Sequence, residues 1–268
     1  MPRQTNIREL VTLDIDGGEQ VPGILTRPRI DEHTPGVLLL HGFSSHKERM
    51  ADSIGRALGR RGVASLAIDL PLHGAREGGF ENLSLRNPLA LVNKWRLAVR
   101  EAHAAIHYLA EHPSIDPRRL AIAGYSLGAY LSMIVAADNS LVRAVALAAG
   151  GDLPAETPFA SIVRSIADPR RAARRLDGRP LFMINGRWDR TIRPEQAHVL
   201  FDAASEPKEQ HWYDGGHWLP NAAVDQAADW LADQLSRLNP LAARPSARDA
   251  QRDAPADSSP RAPRRKAG

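Results

Sequence analysis

Five apolar runs do not alternate with polar residues: "GVLLLHG", "VASLAIDL", "RRLAIAG", "VRAVALAAG" and "PLFMING". A strand covered on both faces needs apolar side chains pointing both ways, so runs of this kind predict interior strands of a buried sheet. Between them the period changes. "KERMADSIGRALGRRG" has helical spacing and stops at Gly62. "PLALVNKWRLAVREAHAAIHYLAEHP" carries a long helix that ends before Pro113. "SLGAYLSMIVAAD", "PEQAHVLFDAAS" and "NAAVDQAADWLADQLSRL" predict further helices, as does the piece from Phe159 to Leu176. "RELVTLDI" and "VPGILTRP" flank "DGGEQ" and predict an opening hairpin, and "KEQHWYDG" predicts a short last strand. Such alternation predicts an α/β fold: a mostly parallel twisted sheet of about eight strands with helices on both faces.

The pattern ends near Leu238. The stretch "NPLAARPSARDAQRDAPADSSPRAPRRKAG" has no aromatic residue and a single Leu, so it has too little apolar surface to offset the entropy of ordering. Two units are expected: a folded domain over residues 1–238 and a disordered basic tail over residues 239–268. The tail holds seven Arg or Lys against three Asp, which accounts for the whole net charge of +4. The folded part is therefore neutral overall, and no nucleic-acid face is expected on it. An apolar content of 43% and a charged content of 25% are ordinary for a globular chain. Cysteine is absent, which excludes disulfides, thiolate metal sites and a cysteine nucleophile. No run approaches the ~20 apolar residues that span a bilayer, and the N-terminus has no signal-type stretch, so the expectation is a cytoplasmic protein without a membrane partner.

The chemistry gathers where strands end. "LAIAGYSLGAY" places Ser126 in a Gly-x-Ser-x-Gly turn between a buried strand and a helix. A chain turning that sharply crowds strand against helix, and Gly124 and Gly128 lack the Cβ atoms that would clash. The serine hydroxyl then projects above the sheet edge. It needs a base to take its proton. His217 in "YDGGHWLP" follows the last strand and precedes the last helix, on the same edge. The imidazole needs a carboxylate to fix its tautomer, and Asp189 in "INGRWDRTIRPEQ" follows the preceding strand; Asp214 and Asp152 are its nearest rivals. His103 and His107 have i, i+4 spacing, but "HAAIH" lacks the glutamate of a zinc-hydrolase helix, so a solvated helix face is expected and no metal. Lys47 and Glu48 read as helix-start charges, His41 and His73 as loop braces, the latter with Asp69, and Arg76 and Arg187 as solvated arginines.

The order Ser126, Asp189, His217, together with "LLLHGF", "GYSLG", "GRWDRTIRP", "GGHW" and "DLPLHGARE", resembles the α/β-hydrolase superfamily, most closely its dienelactone-hydrolase-like and prolyl-oligopeptidase-type small serine esterases. The resemblance spans residues 36–238. It implies an α/β-hydrolase fold with Ser126, Asp189 and His217 as catalytic residues. It also implies an oxyanion hole from the backbone N–H groups of Leu127 and Phe43. Lids of this superfamily usually precede the acid-bearing unit. The interval from Gly150 to Arg179 holds only about thirty residues, so a minimal lid is expected. Phe43, His73, Phe80, Phe159, Trp188 and Trp218 are the candidate substrate-binding side chains, with Leu83 and Leu85 as further apolar contacts. Trp212 and Trp230 read as core.

The expected activity is hydrolysis of small to medium carboxylic esters through an acyl-enzyme, with a small-molecule ester as partner and no cofactor. Thioester, amide or peptide cleavage on the same three residues is the alternative. A non-catalytic binding protein of the same fold is a third reading, and an interaction protein acting through its basic tail is a fourth.

Overall fold

Each apolar run becomes a strand of one eight-stranded sheet in the computed structural model, which describes residues 6–15, 20–29, 33–76, 78, 88–153 and 164–238. The strands are β1 (Asn6–Asp14), β2 (Gln20–Pro28), β3 (Thr34–Leu40), β4 (Ala64–Ile68), β5 (Ile115–Tyr125), β6 (Val142–Ala148), β7 (Leu181–Gly186) and β8 (Lys208–Tyr213). Their order across the sheet is β1-β2-β4-β3-β5-β6-β7-β8. Only the β1–β2 and β2–β4 pairings are antiparallel. From β4 to β8 every neighbour runs parallel. The carboxyl ends of β3, β5, β7 and β8 therefore share one edge, and the loops that leave them meet there.

Along β5 and β6 the two faces differ in side-chain size. On one face Leu120 and Ile122 of β5 and Val145 and Leu147 of β6 pack under four helices: α3 (Pro88–Glu111), α4 (Leu127–Asp138), α5 (Pro169–Arg174) and α6 (Pro194–Ala203). On the other, Ala121, Ala123, Ala144 and Ala146 lie under α7 (Asn221–Arg237) and the first helical segment. That segment is not the single regular helix its spacing predicts. It runs as α1 (Lys47–Met50), a π-helical turn (Ala51–Gly55) and α2 (Arg56–Gly59). Of the helix expected over Phe159 to Leu176, the described part is a helical turn over 164–166 followed, after a break at 167–168, by α5. Asp168 caps it, accepting from the Arg170 N–H at 2.9 Å. The candidate contacts Phe80, Leu83, Leu85 and Phe159, and the tail after Leu238, lie outside the described residues.

Buried polar groups tie the loops after β3 and β4 together, and the burial of Arg76 overturns a sequence expectation. Lys47 opens α1, as a helix-start charge should, and is also held inside the fold. Its ammonium is buried and donates to Asp69 Oδ2 at 2.7 Å, while its backbone N–H donates to Asp69 Oδ1 at 2.8 Å. Asp69 also accepts from the Ala75 N–H. Arg76 is not the solvated arginine expected: a fork of two bonds, 2.5 and 2.8 Å, joins it to Glu101 of α3, and both side chains are buried. His41 braces the same region. Its Nδ1–H donates to the Gly42 carbonyl at 2.7 Å, and its Nε2 accepts from the Leu70 N–H at 3.0 Å. A ring that accepts a backbone N–H must be neutral, and burial holds its pKa down at about 4. His73 bonds the Pro71 carbonyl, not Asp69, and packs its ring edge-on against His41.

Two consequences can be measured. A Cβ on Gly128 would lie 2.1 Å from the Leu40 carbonyl oxygen and 2.7 Å from that of His41, both backbone atoms. Gly128→Ala should therefore lower the unfolding free energy by about 1–3 kcal/mol, read by urea denaturation. The depressed His41 pKa also sets a pH window. Between pH 6.5 and about 4 the unfolded chain binds a proton at His41 that the folded chain does not, so stability falls as pH is lowered through that window. Thermal melts across it should show a flatter profile in His41→Asn than in the wild type.

Candidate active site

The turn from β5 into α4 is made at one residue. Ser126 sits at φ 54°, ψ −112°, a conformation that L side chains rarely adopt and that persists only when its surroundings enforce it. They do so by contact of backbone on backbone. A Cβ on Gly124 would fall 2.1 Å from the Gly128 carbonyl oxygen, and Gly128 itself lies against the end of β3. The Ser126 N–H donates to the Ala148 carbonyl of β6 at 2.9 Å. The hydroxyl is left at the sheet edge, 3.0 Å from His217 Nε2.

The loop carrying His217 is fixed from three sides. The Tyr125 hydroxyl donates to the His217 carbonyl at 2.8 Å, the Tyr213 hydroxyl donates to the Gly216 carbonyl at 2.8 Å, and the Trp188 N–H donates to the Gly215 carbonyl at 3.0 Å. Burial pushes the Tyr125 phenol up to about 12 and raises that of Tyr213 as well, with the nearby Asp189 adding to both, so each stays a neutral donor at physiological pH. Gly186 lets the end of β7 touch this loop, since a Cβ there would lie 2.2 Å from the Gly216 carbonyl oxygen. These tyrosines were not identified as functional in the sequence. Tyr125 occupies a variable letter of the serine motif, and its signal would have been an aromatic donor on a strand end facing a glycine loop.

Asp189 is buried, and its two oxygens divide their work. Oδ1 accepts from the Thr191 and Ile192 N–H groups at 2.8 and 3.0 Å, and Oδ2 lies 2.8 Å from His217 Nδ1. A carboxylate only accepts, so Nδ1 carries the proton and Nε2 turns its lone pair to Ser126. The rival acids are engaged elsewhere: Asp214 is exposed beside Arg187, and Asp152 holds Arg164 in a fork of two 2.9 Å bonds. The Leu127 N–H, in the first turn of α4, has no intrahelical acceptor by its position. The "HGF" loop approaches from β3, close enough that a Cβ on Gly42 would lie 3.3 Å from Ser126 Cβ.

The remaining candidates separate. Phe43 is 54% exposed and sets its ring edge-on to His73. His73 lines a cavity of about 140 Å³ with Leu72, Trp95, Leu127 and Leu131. Trp188 and Trp218 are exposed, and Trp218 stacks on Tyr125. Trp230 is buried, whereas Trp212 is partly buried at the margin of the core against His198. His103 is not on a solvated face: it is half-buried against the Asn139 amide, and burial lowers its pKa. Among the described residues no group of three or more His, Asp or Glu could hold a metal ion, and no helix is long and apolar enough to cross a membrane.

Comparisons with known proteins agree with this architecture. The chain is similar to the polyketide transferase ATR5 of Stachybotrys chlorohalonatus (strain IBT 40285), 29% identical over 201 residues, which are 69% of this chain and 65% of that relative's length. It thus spans less than two thirds of that relative. Among solved structures it is similar in fold to TT1662 from Thermus thermophilus, with a TM-score of 0.71 at 22% identity over 86% of this chain and 98% of that one. It is likewise similar to a cold-adapted esterase from an Arctic intertidal metagenomic library, with a TM-score of 0.68 at 22% identity over 85% and 94%. The sequence profile of the Alpha/beta hydrolase family matches residues 37–263, and on that match the chain belongs to the alpha/beta hydrolase family.

Proposed function

We propose that the protein is a serine hydrolase that cleaves carboxylic esters of small to medium acyl size. The observation that carries this reading is the line of hydrogen bonds from Ser126 Oγ to His217 Nε2 at 3.0 Å and from His217 Nδ1 to Asp189 Oδ2 at 2.8 Å, begun on a strained elbow. His217 takes the Ser126 proton as the oxygen attacks the ester carbonyl. Asp189, already held by two backbone N–H groups, keeps the imidazole oriented and stabilises it when charged. The Leu127 and Phe43 N–H groups receive the oxyanion. The alcohol leaves with the proton from His217, and water repeats the sequence to release the acid. The fold likeness to the cold-adapted esterase supports the same chemistry. The likeness to a polyketide transferase favours one second reading, in which an alcohol takes the place of water and accepts the acyl group from Ser126.

Hydrolysis of p-nitrophenyl acetate should fall to background in Ser126→Ala, with an unchanged circular dichroism spectrum; retained activity would sink the assignment. Asp189→Asn offers Nδ1 the wrong partner and should lower kcat by about 10⁴. Product analysis with added alcohols separates the two readings. Acid alone means hydrolysis, and a new ester means transfer.

A further inference from the structure

A second cavity lies back to back with the proposed active centre, and nothing in the proposed chemistry uses it. It has a volume of about 230 Å³ and sits between the π-helical turn, α7 and the alanine-lined face of the sheet. Its origin is local. Ala123 and Ala146 are paired in register on β5 and β6, so the floor is made of methyl groups, while Phe182 on the neighbouring β7 stacks against Trp230 of α7 and stands tall beside it. The helices rest on the large residues and span the small ones. Ile54 of the π-helical turn and Val224 and Ala227 of α7 close the walls. Helical turns of this wide kind recur at functional sites.

Of the lining residues Arg49, Ser53 and Trp218 are exposed, which puts the opening beside them. Ser126, Asp189, His217 and Leu127 do not line the cavity, and Tyr125 is the partition between it and the serine. Arg49 holds its guanidinium over the Trp218 ring at 5.1 Å, and among the described residues it has no carboxylate partner. An apolar chamber with one exposed cation at its mouth matches an aliphatic chain that ends in a single negative charge. Its size sets the chain. A dry apolar cavity of about 150 Å³ takes benzene, so this one has room for roughly seven to nine carbons.

We propose that this cavity is a binding site for a medium-chain carboxylic acid, its chain against Ala123, Ala146 and Phe182 and its carboxylate on Arg49. The site is independent of hydrolysis at Ser126. A bound chain would touch Tyr125 and Trp218, and so the wall that holds the His217 loop.

Calorimetric titration with octanoate tests this. Wild type and Ser126→Ala should both bind one octanoate saturably with the same affinity, and acetate, which has no chain, should give no saturable heat. Ala146→Leu and Ala227→Leu fill the chamber from its two opposite walls and should each weaken binding at least tenfold. Arg49→Gln changes an exposed side chain, is expected to fold whatever the fate of the other two, and should weaken binding about tenfold. Absence of saturable binding to wild type at millimolar octanoate would overturn the proposal. So would undiminished binding in Arg49→Gln or in a folded filled variant, because octanoate would then sit elsewhere, for instance beside Ser126. Since Ser126→Ala is expected to bind normally, loss of hydrolysis and loss of this site are separate results.

Discussion

The site depends on one close approach: the start of α4 lies against the end of β3, with Gly128 over the Leu40 carbonyl. No side chain fits between them. Because β5 enters α4 within a single residue at that spacing, Ser126 is held in a conformation that L side chains rarely adopt, and its hydroxyl is left at the sheet edge. The strain at Ser126 is balanced by the packing of the central strands, whose buried apolar side chains hold β3 and β5 in parallel register. Here the hydrophobic core sets the position of a single oxygen atom.

Electrostatics complete what packing begins. Around the serine edge, most buried polar groups are given a fixed protonation or charge role by a partner. Asp189 is buried with both oxygens engaged. Tyr125 and Tyr213 are kept neutral by burial and anchor the His217 loop as donors. His41 is kept neutral so that it can accept the Leu70 N–H, and the Lys47–Asp69 and Arg76–Glu101 pairs pin the loops after β3 and β4. Removing one partner from a pair of that kind would strand a buried charge, at a cost of about 3–5 kcal/mol. In water-exposed positions the same groups would contribute little.

Much of this was legible in the sequence because it follows from period and order. Continuous apolar runs marked the strands of the parallel part of the sheet. Their order placed Ser126, Asp189 and His217 on one edge, and the glycines of "GYSLG" had a steric reason. What the sequence did not show depends on partners distant in the chain. Arg76 looks like a solvent-facing charge until Glu101 is brought to it, and Lys47 like a helix-start charge with no sign of its bond to Asp69. The π-helical turn is invisible to a spacing argument, since "KERMADSIGRALGRRG" satisfies the ordinary helical period. The cavity over Ala123 and Ala146 was equally hidden, because alanine in a buried strand reads as core whether or not anything packs above it.

The central claim is that Ser126 is activated by His217, not merely exposed on a turn. Labelling with a fluorophosphonate, mapped by peptide mass spectrometry, tests it most directly. Wild type should be modified at Ser126 alone, and His217→Ala should be modified at least a hundredfold more slowly under the same conditions. Labelling of Ser126 at equal rates in the two proteins, or none in wild type, would contradict it.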